Sequence, residues 1–226
     1  MPVRERVALV ARAIQPILNR VVLAGPPVID LLLDDPGVRT QEFSFAADAT
    51  LQLLSTSMVD RLGADLQKLG FSRTGRSGTA DRWSLPSGTG VDLIQVREEQ
   101  NEPAELALEY ATLVTLPYVV EERLVVRIAG APAVLALELD AFARSGARLL
   151  DSEALERVVL LVAGRKDIEK ESAAAPPELR ALIRPPLARL AANDALELIV
   201  QRAVPDAVLL PALVRRVRER IARMAC

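Results

Sequence analysis

The sequence has no histidine, and its single cysteine, Cys226, is the last residue. The first absence excludes serine–histidine and cysteine–histidine nucleophiles, histidine metal ligands and histidine pH switches. The second excludes an intrachain disulfide or a cysteine zinc site, and fits a reducing compartment. Aromatic residues make up 3% of the chain, so the core must be built from Leu, Val, Ala and Ile. Neither sign of charge is in excess: a net charge of -2 gives no bulk attraction for nucleic acid, and any such contact needs a local patch. No apolar run reaches the ~18–20 residues of a membrane span. Near the start, Arg4, Glu5, Arg12, Gln15 and Arg20 interrupt the apolar residues, unlike a signal-peptide core. The expectation is a cytoplasmic chain with no membrane segment.

What is present is apolar residues, half of the 226. That suits one large domain, or a core with a helical extension, and argues against global disorder. The pattern divides the chain into an α/β core over 1–130 and a helical region over 131–226. Residues 4–20 have helical spacing, with Pro16 set to kink or end the helix. Val21 to Ala24 reads as a buried strand, and Gly25-Pro26-Pro27 starts a short helix through Leu33. Glu42 to Ala47 reads as a second strand. A helix over 50–69 carries Leu51, Leu54, Met58, Leu62, Leu66 and Leu69, and stops at Gly70. Short runs at 71–73, 82–85 and 91–96 predict an antiparallel meander. A helix over 104–112 and a last strand at 124–128 follow. Beyond 131 the segments 131–145, 151–162, 178–192, 194–202 and 206–224 read as helices. Residues 166–175 read as a charged connector, and Pro185-Pro186 as an interruption.

Three stretches hold the candidate chemistry. Val21-Val22-Leu23-Ala24-Gly25 is a strand running into a glycine. Arg39-Thr40-Gln41-Glu42-Phe43-Ser44-Phe45 places Glu42 and Ser44 on one face, because strand side chains alternate with period two. Gly90-Val91-Asp92-Leu93-Ile94-Gln95-Val96 sets one acid inside an apolar run. Each has a plainer reading beside it. Glu42 and Ser44 fit a solvent-facing pair as well as a ligand pair. Asp92 fits an ion pair with Arg82 on the neighbouring strand as well as a metal ligand. Gly25 fits a tight turn or close contact, which is preferred, and Trp83 a packing residue. The run Arg215-Arg216-Val217-Arg218-Glu219-Arg220 reads as solvated arginines rather than an RNA contact, with Leu210, Val214, Val217, Ile221 and Met224 as the buried face.

In order along the chain, Leu23-Ala24-Gly25, Arg39-Thr40-Gln41-Glu42-Phe43-Ser44, Leu69-Gly70-Phe71, Val91-Asp92-Leu93, the helix bearing Glu138, and Leu149-Leu150-Asp151 form a series. Over residues 5–165 it resembles the minimal nucleotidyltransferases of toxin–antitoxin and abortive-infection systems, within the polymerase-beta-like superfamily. The resemblance implies an α+β fold, a small mixed sheet backed by helices, followed by an all-helical C-terminal region. It also implies a site in which Glu42, with Ser44, and Asp92 stand where family enzymes bind two magnesium ions. Gly25, Arg39, Thr40 and Asp151 would stand where the nucleotide lies.

The departures from the family pattern fall on this chemistry. Ser44 is neutral where a second aspartate belongs. Pro26 offers no N–H to a phosphate. Glu138 stands where a lysine is expected, and Leu150 replaces the cation of a Lys-Asp pair. The expectation is a degenerate, non-catalytic binding or regulatory module that holds Mg2+ or a nucleotide weakly if at all, and acts through a partner protein or tRNA. The alternatives are a divergent active enzyme moving NMP from NTP to RNA or protein, and a plain helical interaction module.

Overall fold

The computed structural model of the protein describes residues 2–35, 38, 50–77, 80–97, 102–204 and 210–226. Two compact units emerge, one from Met1–Leu31, Ser44–Asn101 and Leu108–Gly130, the other from Leu32–Phe43, Glu102–Ala107 and Ala131–Cys226.

In the first unit, α1 (Val3–Ala13) buries Val7, Ala8, Val10 and Ala11 and passes into a 3-10 turn at Gln15–Arg20. The change of helix type falls at Pro16, which has no N–H to continue an α-helical ladder. The strands are β1 (Val22–Ala24), β2 (Leu51–Ser55), β3 (Ser72–Ser77), β4 (Ala80–Ser84), β5 (Gly90–Gln95), β6 (Thr115–Glu121) and β7 (Leu124–Ala129). Among the described residues they form one mixed sheet in the order β3-β4-β5-β2-β1-β7-β6. β1 runs antiparallel to β2 and parallel to β7, β2 runs parallel to β5, and β3-β4-β5 is the expected antiparallel meander. Three helices belong to this part of the chain order: α2 (Pro26–Leu32), α3 (Val59–Lys68) and α4 (Pro103–Leu113). The fold is α+β: a mixed sheet with helices, then, among the described residues, helices alone from Ala131 onward.

One correction concerns the helix expected over 50–69. Residues Leu51–Ser55 form a central strand instead, and the helix begins at Val59. Leu51, Leu54 and Met58 fit a helical stripe, but Leu51 and Leu53 also fit strand alternation, and a short apolar run does not separate the two. Burial between β1 and β5 decides it. Leu51, Leu53 and Leu54 are buried while Met58 is exposed, and the hydroxyl of Ser55 donates to the Arg20 carbonyl at 2.8 Å as the strand ends. The strand expected at Glu42–Ala47 lies outside the described residues.

The stop at Gly70 holds. Its φ is +90°, the Phe71 N–H donates to the Leu66 carbonyl at 3.0 Å, and the Gly70 N–H to that of Gln67 at 3.1 Å. These are the paired bonds of a Schellman motif, with Phe71 buried behind it. Gly63 has a packing reason. A Cβ there would lie 2.9 Å from Cζ2 of Trp83, so the missing side chain lets α3 approach the ring. β6 was not expected, since Pro117 breaks its pattern. The strand is at the sheet edge, where a residue with no N–H is tolerated.

The second unit contains α5 (Ala131–Ser145), a 3-10 turn at Leu149–Asp151, α6 (Glu153–Gly164), α7 (Ile168–Ala174), α8 (Pro177–Ala191), α9 (Leu196–Ala203) and α10 (Leu210–Ala225). α6 is buried along most of its length and packs against α5, α9 and α10. Three expectations are corrected. The connector at 166–175 contains α7, whose Ile168 and Ser172 are buried one turn apart. Pro185 and Pro186 lie inside α8, where Leu179, Ile183, Leu187 and Leu190 keep a buried stripe in register across them. Tertiary packing of that stripe outweighs the cost of two missing N–H groups. On α10 the buried residues are Leu213, Val217, Arg220, Ile221 and Met224, so one arginine of the run is interior.

Candidate functional site

The centre of the sheet carries one polar row. Ala24 on β1 pairs with Gln52 on β2, Gln52 with Asp92 on β5, and Asp92 with Arg82 on β4. Directly opposed residues in neighbouring strands share a face. The row therefore presents a methyl group, an amide, a carboxylate and a guanidinium side by side.

Arg82 grips Asp92 with both tines of its fork. Nε donates to Oδ1 at 2.9 Å and Nη2 to Oδ2 at 3.1 Å. This is a bidentate, charge-assisted pair, and both carboxylate oxygens take part. Asp92 is buried, with an 11% exposed side chain, while that of Arg82 is 46% exposed. The ion-pair reading of Asp92 is thus the arrangement present.

Gly25 closes the other end. Its φ is +84°, a backbone conformation that side chains disfavour, and a Cβ there would lie 3.0 Å from Cγ of Gln52 and 3.1 Å from the Thr50 carbonyl. Gly25 is therefore a close contact onto β2, in line with its plainer reading.

Tested for fit, the described row does not make a magnesium site. Its one carboxylate is engaged with a guanidinium, whose charge opposes a dication, and the neighbours along the row are an amide and a methyl group. Hard divalent cations take oxygen ligands, preferably anionic. Among the described residues no group of three His, Cys, Asp or Glu side chains is placed to hold a metal ion. Of the other residues expected at the site, Glu42, Ser44, Arg39 and Thr40 lie outside the described residues.

Glu138, Leu150 and Asp151 belong to the helical unit. Asp151 ends the 3-10 turn and does not open α6. That helix is capped by Ser152, whose Oγ accepts from the Leu155 N–H at 3.3 Å. Asp151 has a 67% exposed side chain and lies 4.0 Å from Arg202. Glu138 is interior. Arg157 Nε donates to its Oε2 at 2.8 Å, and the same arginine reaches Glu153 at 3.3 Å. Burial raises the Glu138 carboxyl above its ordinary pKa, against the opposing pull of Arg157.

Two polar residues of these clusters are not anticipated by the sequence pattern. Gln52 was placed in a helix, so its position beside Asp92 was not legible; the polar break Ser55-Thr56-Ser57 was the available signal that a strand ends there. Arg220 was read as solvated, although its place three residues after Val217 and one before Ile221 puts it beside the buried stripe. Its Nε donates to Glu169 at 2.8 Å, Nη1 to the Val162 carbonyl at 2.7 Å, and Nη2 to the carbonyls of Arg165 and Lys166 at 2.7 and 2.8 Å. One guanidinium thus satisfies carbonyls at the C-terminal end of α6.

The structure is similar to the crystal structure of an antigenic nucleotidyltransferase-like protein from Paracoccidioides brasiliensis. The two share 18% identity over 95% of this chain and 93% of that one, with a TM-score of 0.47. No protein-family model matches the sequence, and no curated protein matches it. No helix among the described residues is long and apolar enough to cross a membrane.

Proposed function

We propose that the chain is a nucleotidyltransferase-like protein of the toxin–antitoxin and abortive-infection type whose catalytic chemistry has been lost, and that it works in the cytoplasm as a binding or regulatory module for a partner protein or tRNA. The observation that carries this reading is the bidentate Arg82–Asp92 pair beside Gln52. Two-metal transfer needs carboxylates free to bridge cations and clamp a triphosphate. In this row the remaining carboxylate serves an arginine, and the position next to it is a neutral amide. The departures at Ser44, Pro26, Glu138 and Leu150 support the same reading from the sequence.

Calorimetric titration of the full chain with magnesium chloride tests it. The expected outcome is weak or absent binding, unchanged by Asp92→Asn. Two tight magnesium sites, lost in Asp92→Asn, contradict the reading and favour a divergent active enzyme built on Asp92 and Glu42.

A further inference from the structure

We propose that the helical unit binds a phosphate-class oxyanion in a cavity between α7, α8 and α10. The cavity has a volume of about 50 Å³ and is lined by Glu169 and Ser172 of α7, Arg180, Ile183 and Arg184 of α8, and Arg223 of α10. Three arginines from two helices face one glutamate. That glutamate is already committed: Arg223 donates to it at 2.7 and 3.2 Å, and Arg220 at 2.8 Å. The Arg223 hydrogen bond holds the Glu169 carboxyl below its ordinary pKa, so it stays ionised and keeps both arginines in place. A positive surplus remains on the α8 side of the cavity.

Two donors there are unsatisfied. Ser172 is 6% exposed, and its hydroxyl has no hydrogen-bond partner among the described residues. Arg180 Nε is likewise buried without one. Buried polar atoms of this kind are few in folded proteins, and each asks for an explanation. An anion supplies one, since a hydroxyl and a guanidinium N–H both seek an acceptor and the guanidinium seeks a negative one. Donors that reach the cavity from separate helices favour a ligand with oxygens pointing several ways. A tetrahedral phosphate meets that condition better than a planar carboxylate, and arginine suits it by its fork of donors. The volume is that of a few waters, which suits the ion itself rather than a larger ligand. This inference uses no residue of the sheet and does not rest on the function proposed above.

The test is isothermal titration of the full chain, in phosphate-free buffer, with inorganic phosphate, glycerol 3-phosphate and, as uncharged control, glycerol. Saturable one-to-one binding of a phosphate probe and none of glycerol is expected. The tighter of the two phosphates distinguishes the free ion from an ester. Arg184→Gln, at a half-buried position, is expected to weaken binding at least about ten-fold, as loss of a charged donor does. Ser172→Ala removes the buried hydroxyl alone and weakens it by a smaller factor. Arg144→Gln, an exposed residue of the same unit outside the cavity, leaves binding unchanged, with circular dichroism reporting that all three variants are folded. Absence of saturable binding by either phosphate overturns the proposal, as does wild-type affinity in both Arg184→Gln and Ser172→Ala.

Discussion

The sheet unit and the helical unit each contain an arginine–carboxylate pair with a covered carboxylate, and the two pairs differ in what water can reach. At Arg82–Asp92 the carboxylate is covered but the guanidinium is 46% exposed; at Arg157–Glu138 the side chains are 13% and 8% exposed. A pair whose arginine is half-exposed contributes less to stability, because water screens it and reaches the carboxylate once the guanidinium is gone. A covered pair behaves otherwise: removing one partner strands a charge where water does not compensate it. The same chemistry thus fixes the orientation of one carboxylate in the sheet and supports the packing of the helical unit.

The largest effect is expected at Arg220, the interior guanidinium that donates to three carbonyls and to Glu169. Arg220→Met leaves three carbonyls and part of Glu169 without their donor, and is expected to cost about 4 kcal/mol in urea unfolding. Arg220→Lys recovers only a fraction of this, since a point charge does not reproduce a fork that reaches Val162, Arg165 and Lys166 together.

Next in size is Arg157→Met, with an expected loss of about 3 kcal/mol at pH 7. Its pH dependence sharpens the point. Glu138 has a raised carboxyl pKa in the folded protein, so it binds a proton more tightly there than in the unfolded chain. Its contribution to stability is fully present below the unfolded value and is lost as pH rises through the folded one. Removing Arg157 takes away the opposing cation and raises that pKa further. The destabilisation, read from denaturant midpoints, is therefore expected to grow as pH rises above the ordinary carboxylate range. A loss independent of pH contradicts the assignment of Glu138 as the stranded charge.

The smallest effect is expected in the sheet. Arg82→Gln should change unfolding free energy by no more than about 1 kcal/mol. A loss as large as that at Arg157 means that the Arg82–Asp92 pair is structural in the same sense, and the contrast between the units fails.

The course of the chain was legible where one signal dominated. Val22–Ala24, the meander around Arg82 and Asp92, and the stop at Gly70 follow from apolar runs, turn residues and a glycine. Asp92 with Arg82 was readable as a pair, since adjacent strands of a meander bring those positions together. The site's other neighbour was not. Gln52 sits in a leucine-rich run that satisfies two periods, and only its neighbours β1 and β5 choose between them. Arg220 was misread for a related reason: a guanidinium inside a helical unit depends on carbonyls far along the chain, which no local pattern announces. Pro185 and Pro186 show the reverse, a strong local signal overruled by a buried stripe that continues through it.

On the function proposed above, the polar row of the sheet orients side chains and transfers no nucleotide. Nucleotidyl transfer depends on positioning and charge cancellation, and loss of a single such electrostatic group costs ~10²–10³ in rate. The direct measurement is incorporation of each α-labelled nucleotide, with magnesium and total tRNA, by the wild-type chain and by Asp92→Ala. The account predicts no label on tRNA or protein with either chain. Incorporation by the wild type that disappears in Asp92→Ala contradicts it.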